Sequence, residues 1–209
     1  MSHPQQLTIS HCSTKVDFHR FACQCNLNMH IRYFNEHKRL VKNQIADIIE
    51  ELEKNLLDPT RKQRLEMNKH VYLNSYRHHM IINNFLTMYS HFEECLGVTC
   101  QLFSGKMPEN KRSGLERFRQ HFESEHDVKL SSGPSWSFVC DCAKARHVLL
   151  HAAGNVTLAR DKKKVEDLIK RNHDYYTTEN SRIVPRERLL VKFSEAISEF
   201  TEWLTDQVK

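Results

Sequence analysis

The feature that most restricts this chain is the spacing of its apolar residues, which recur every three or four positions rather than every second one. Leu190, Phe193, Ile197, Phe200 and Leu204 follow this rule, as do Ile81, Phe85, Met88, Tyr89, Phe92, Leu96 and Phe103. A period near 3.6 lines side chains up on one flank of a helix, whereas a half-buried strand needs strict alternation. Only five Gly and five Pro interrupt the 209 residues, so long helices can be sustained. The chain reads as all-α, the size of one large domain or of one domain with an appendage.

Charge and composition then narrow the functional classes. Lys+Arg number 31 against 26 Asp+Glu, a modest basic excess that permits a polyanionic partner without demanding one. No apolar run approaches the ~20 residues that span a bilayer, and the N-terminus lacks the apolar core of a signal peptide. A soluble, cytoplasmic protein with no membrane partner is expected. Seven cysteines, an odd count, read as mostly free thiols in a reducing compartment. Glycine-rich phosphate loops, HExxH and GxSxG are absent.

Along the chain, His11, Cys12, His19, Cys23, Cys25, His30 and His37 crowd the N-terminal part and raise the question of zinc. Structural zinc sites show paired ligands two to four residues apart in each half. Cys23-Gln24-Cys25 is a single Cys-x-Cys, and on a helix its thiols would point to opposing sides. The preferred reading is scattered His and Cys in a mostly helical arm, with no metal and no cofactor. Asn35 is expected to cap a helix over 36–57, with Leu40, Val41, Ile45, Ile48, Ile49, Leu52 and Leu56 as its stripe. Asp58-Pro59 should end it, because the residue before proline is pushed out of the helical region. A longer helix is expected over 61–103, with a break near Asn74 or Asn83-Asn84. Glu93 borders its core stripe, and Glu94 points outward.

A loop over 104–113 leads to a helix over 114–128, with Ser113 and Glu116 as a capping box. Lys106, Lys111, Arg112, Arg117, Arg119 and Lys129 make the densest basic region, either a solvated surface or a patch that tracks phosphates. Ser131-Ser132-Gly133-Pro134-Ser135 breaks the chain. Further on, a helix over 161–172 precedes a short β-hairpin near 174–184, turning at Glu179-Asn180-Ser181. Tyr175 and Tyr176 could stack on bases there, though packing is the commoner use of such tyrosines. Pro185 should start the last helix, to about 207, whose stripe suits burial in a bundle or a dimer seam.

The segment 136–160, WSFVCDCAKARHVLLHAAGNVTLAR, is the most informative. Ser135 or Ser137 can cap its helix. Val139, Cys142, Ala143, Leu149 and Leu150 recur at helical spacing, and Arg146 falls on the same stripe. His147 and His151 lie one turn apart, and Gly154 is the expected stop. An arginine among leucines is costly unless an anion meets it. The plain alternative is an arginine that snorkels to water and histidines favoured by the helix dipole. Cys140-Asp141-Cys142 reads as small residues on a packed helix rather than as a reactive thiol.

Arg146-His147-Val148-Leu149-Leu150-His151, followed by Ala152-Ala153-Gly154-Asn155-Val156, resembles the signature of the HEPN superfamily. In those domains Arg is followed by a polar residue, a few mostly apolar residues and then His. The resemblance covers roughly residues 77–209, which leaves residues 1–76 as an N-terminal helical extension. It implies an antiparallel helical bundle and a metal-independent endoribonuclease that cleaves single-stranded RNA through 2′-OH attack. Arg146 would then stabilise the phosphorane, His151 would move the proton and His147 would be an auxiliary donor. Glu93, by the same likeness, is the candidate to orient Arg146. The resemblance also implies a homodimer with two motifs facing one cleft. RNA is the expected partner, together with an antitoxin or other protein in a toxin or phage-defence setting, and DNA is not expected. A catalytically inactive module that binds RNA, a nucleotide or a protein, and a wholly structural helical protein, are the alternatives. On a regular helix Arg146 and His151 stand about 140° apart. They converge on one phosphate only if the helix distorts near Ala152 or if two subunits pool their residues, and the pooled arrangement is preferred.

Overall fold

The computed structural model describes residues 14–54, 58–108 and 114–208. His11, Cys12, Leu56, Lys111, Arg112 and Ser113, and with Ser113 the proposed cap, lie outside them. The described chain is mostly helical, with one small two-stranded sheet. No helix among these residues is long and apolar enough to cross a membrane.

Helix α1 (Lys15–Leu52) starts at a capping box, in which Asp17 N donates to Thr14 Oγ1 at 3.1 Å and Thr14 N donates to Asp17 Oδ2 at 3.0 Å. It runs without interruption through Asn35, which corrects the expected start at 36. The reason lies in its inward stripe of His19, Cys23, Leu27, Phe34, Val41 and Ile48. The first turns of that stripe carry His and Cys, so a search for apolar periodicity misses them. Leu40 and Ile49, expected on the stripe, are exposed instead, because the stripe is narrower than the one read from the sequence.

Asp58-Pro59 opens α2 (Pro59–His70) as well as separating it from α1: the Asp58 carboxylate accepts from Arg61 N at 3.0 Å and Pro59 takes the first turn. No residue of α2 is buried, and an Arg61–Glu51 ion pair ties it to α1. The expected single helix over 61–103 is divided by one π-helical turn, Val71–Tyr76, at the break anticipated near Asn74. Asn83-Asn84 does not break it, since Asn84 donates to Met80 O at 2.9 Å from inside the helix.

Helix α3 (Arg77–Ser104) is the hub, and a left-handed Gly105 at φ 67° ends it. Its Phe85 and Phe92 rings meet Phe193 of α7 (Glu187–Gln207) at 5.4 and 6.4 Å, and Phe92 meets Phe200 at 6.0 Å. Leu190, Phe193, Ile197, Phe200 and Leu204 are all buried, so the stripe of α7 serves the bundle interior and not a dimer seam. Pro185 belongs to a strand and α7 begins at Glu187, because Pro185 pairs with Tyr176 before the chain turns helical.

Helix α4 (Leu115–His126) seats Phe118 and Phe122 in the same core. The break before α5 (Trp136–His151) is enforced by packing. A Cβ on Gly133 would come within 2.6 Å of both Phe200 and Trp203. Helix α6 (Lys162–Arg171) is capped by Asp161. Strands β1 (Tyr176–Glu179) and β2 (Arg182–Pro185) form the expected antiparallel hairpin, turning through Asn180 and Ser181 at φ 49° and 61°. Leu27 and Phe34 of α1 join the core formed by α3 to α7, so this part of α1 is packed into the bundle.

Candidate functional site

Helix α5 buries Val139, Cys142, Ala145, Val148 and Leu149, while Leu150 is exposed. Ser135 does not cap it as expected. Ser135 has φ 58° and its Oγ donates to Glu199 at 3.0 Å, because the turn out of Gly133 places it in the left-handed region, and Ser137 lies inside the helix. The helix ends at His151. Ala153 and Gly154 follow in left-handed conformations, and Gly154 N donates to Val148 O at 3.0 Å. Gly154 O then accepts from Ile183 N at 2.9 Å, and Val156 N donates to Ser181 O at 2.8 Å. The end of the motif is thus pinned to the hairpin.

Arg146 leaves the apolar stripe at its edge, with its side chain 30% exposed, and meets Glu93 of α3 across a 3.8 Å gap between Nη2 and Oε2. Its guanidinium carbon lies 5.0 Å from the Tyr89 ring centroid. The anion required by an arginine at this depth is therefore Glu93, and an aromatic face supports it from below. Burial, and after it the Glu93 charge, pushes the Tyr89 phenol up, with Arg146 opposing, so Tyr89 stays a neutral platform. Tyr89 is the site residue that the sequence reading did not assign, because it sits on the core stripe of α3. The signal that could have found it is its place one helical turn before Glu93.

His147 and His151 are both exposed, with ring centroids 4.6 Å apart. Helix α5 stays regular through His151, so it carries the angular offset from Arg146 unchanged. The structure brings Arg146 and Glu93 together on one flank, and His147 and His151 together on another.

Other candidates resolve as structure. Tyr176 is buried and Tyr175 packs on Phe138 at 5.4 Å. In the basic region Arg119 is held by Glu116 at 2.6 Å and Glu123 at 3.3 Å, and Arg117 lies 4.6 Å over the Phe118 ring. Burial pushes the Cys142 thiol up, which keeps it protonated and inert. As for metals, Cys23, His91 and Cys95 bring three ligand atoms within 4.8 Å of one another on the opposite flank of α3. No family model, curated protein or solved structure matches this chain.

Proposed function

We propose that the chain is a metal-independent endoribonuclease of the HEPN type, acting on single-stranded RNA. The observation that carries this reading is the state of Arg146: half-buried, met by a carboxylate at 3.8 Å and an aromatic face. That contact is too long for a hydrogen bond, so the guanidinium keeps donors free to fork onto two non-bridging phosphate oxygens. Glu93 and Tyr89 hold it in place without occupying it.

The chemistry follows from these groups. The 2′-oxygen attacks the adjacent phosphorus, the bond to the 5′-oxygen breaks, and a 2′,3′-cyclic phosphate and a 5′-hydroxyl result. His151 takes the 2′-OH proton as general base and, as the imidazolium so formed, passes it to the departing 5′-oxygen. Arg146 stabilises the charge that builds on the phosphorane, and His147 donates to a phosphate oxygen. Because one regular helix separates Arg146 from His151, two copies of the chain supply one centre, Arg146 from one and His151 from the other. The exposed Leu150, on the same helix end as the histidines, gives such a pair apolar surface to cover. A toxin or phage-defence role, with a protein that restrains the nuclease, suits an enzyme of this kind.

The test is incubation of the full chain with total RNA without added metal, followed by analysis of the new RNA ends. Cleavage with cyclic-phosphate ends is expected, with Arg146→Ala and His151→Ala each slower by about 100-fold or more. Mixing the two inactive variants should restore part of the activity, since a mixed pair rebuilds one intact centre. If the parent binds RNA and never cuts it, the domain is a binding module and the enzyme reading is lost.

A further inference from the structure

The flank of α3 that faces α1 carries polar groups of a different kind. Residues His91, Glu94, Cys95 and Thr99 share that flank, and α1 presents His19 and Cys23 to it. His19, Cys23, His91 and Cys95 are each less than a tenth exposed. Both helices use the same spacing, a histidine four residues before a cysteine, which stacks the two side chains on adjacent turns. We propose that Cys23, Cys95 and His91, with His19 as the fourth ligand, hold a divalent ion of the zinc type that fastens α1 to α3.

The His19 tautomer is already fixed for this. Thr99 Oγ1 donates to Cys95 O at 2.8 Å, so it accepts from His19 Nε2 at 3.1 Å. That leaves the Nδ1 of His19 bare, with Cys23 Sγ 3.7 Å from it and 3.8 Å from Nε2. On the other side the Glu94 carboxylate faces His91 Nδ1 at 3.6 Å, and His91 Nε2 lies 3.4 Å from Cys95 Sγ. His19 is thus held by Nε2, the usual outer support of a metal-bound histidine, while Glu94 lies beside His91 Nδ1 beyond hydrogen-bond reach.

Two N···S edges already match a tetrahedron, and closing it requires His19 to move in on Cys23, His91 and Cys95, whose ligand atoms lie within 4.8 Å of one another. With Zn–N near ~2.0 Å and Zn–S near ~2.3 Å, its N···S edges are about 3.6 Å, against 3.7 and 3.4 Å here. Its S···S edge is about 3.8 Å, against 2.7 Å between Cys23 and Cys95, so binding parts the sulfurs by about 1 Å. Two thiolates and a divalent cation sum to zero charge, which removes the cost of burying either alone. A Cys23–Cys95 disulfide would use the same sulfurs but would leave both inward imidazole nitrogens without a role. The exposed Cys25, on the far side of α1, takes no part.

The experiment uses the full chain purified under reducing conditions. Elemental analysis should find one zinc per chain. Replacement by cobalt should give a thiolate-to-cobalt charge-transfer band and the strong visible bands of four-coordinate cobalt. Cys23→Ser and Cys95→Ser, with helicity checked by circular dichroism, should abolish the charge-transfer band or weaken it severely. Glu94→Gln should weaken metal affinity about tenfold, and Cys25→Ser should leave it unchanged. Should a cysteine variant fail to fold, the cobalt spectrum of the unaltered chain decides. A metal-free reduced chain with no cobalt band, or a Cys23–Cys95 disulfide in peptide mapping, overturns the proposal, as does equal metal loss in Cys25→Ser. None of these readings depends on RNA cleavage.

Discussion

Helix α5 places charge in two ways within little more than one turn, and the contrast separates folding from function. Asp141, 3% exposed, accepts from Arg171 Nε at 2.9 Å and Nη2 at 2.6 Å, from Lys144 at 3.0 Å and from Asn172 at 2.9 Å. Its carboxylate is saturated, and the bonds tie α5 to α6. Arg146, further along the same helix, has one carboxylate at 3.8 Å and a ring face. A buried charge left short of partners is unfavourable to the fold, and on the proposed function the half-open Arg146 is the end of α5 that receives the phosphate. The closed cluster holds the helix, and in the proposed reading the open one takes the ligand.

The largest effects should fall on the open end, in activity. Arg146→Ala and His151→Ala are expected to slow RNA cleavage by about 100-fold or more while shifting urea stability by less than ~1 kcal/mol. The closed end should behave in the opposite way. Asp141→Asn removes the charge that three neighbours were arranged around and should destabilise by about 3 kcal/mol, read from chemical denaturation. The molecules that remain folded should cleave normally. If folded Asp141→Asn protein is inactive, the division between the two ends of α5 fails.

Glu93→Gln probes the boundary. The pair is long and partly exposed, so stability should change by less than ~1 kcal/mol. Loss of orientation at Arg146 should cost cleavage about tenfold. A loss as large as that of Arg146→Ala would make Glu93 part of the chemistry rather than its support, and no loss would leave the ion pair a rim contact. Steady-state cleavage of a single short RNA separates the three outcomes.

How much of this was legible in the sequence depends on what each element uses for its signal. Helices α3, α4, α6 and α7 announce themselves because their inward residues are large and apolar, and the hairpin because Asn180-Ser181 must turn with positive φ. Spacing placed Glu93 at the border of its stripe and Arg146 on its own, but their pairing was suggested by the family resemblance and not by spacing. Helix α1 hid its first half because His19 and Cys23 occupy its core positions. The Cys and His groups were visible, but only as a cluster within one segment. Their partners His91 and Cys95 come from a distant helix, and tertiary packing alone brings them together. Asp141 was equally invisible as an anchor, since its partners Arg171 and Asn172 lie at the end of another helix.

Acid offers the finest test of the contrast, through the carboxylate of the closed end. Burial raises the Asp141 carboxyl, but hydrogen bonds from Arg171, Lys144 and Asn172 outweigh it and hold the group below its ordinary value. A folded-state value below the unfolded one means that the carboxylate's contribution is fully present above the unfolded value of about 3.9. That contribution disappears as pH falls through the folded value. The stability gap between the parent and Asp141→Asn should therefore be constant from neutrality down to roughly pH 5 and narrow progressively below about pH 4. Glu187, lowered in the same sense by Lys38 and Arg77 against its own burial, bends both curves alike and cancels in the difference. A gap that widened on acidification would mean that the neutral Asp141 is the form the fold prefers, and that the closed end of α5 is held by packing rather than by charge.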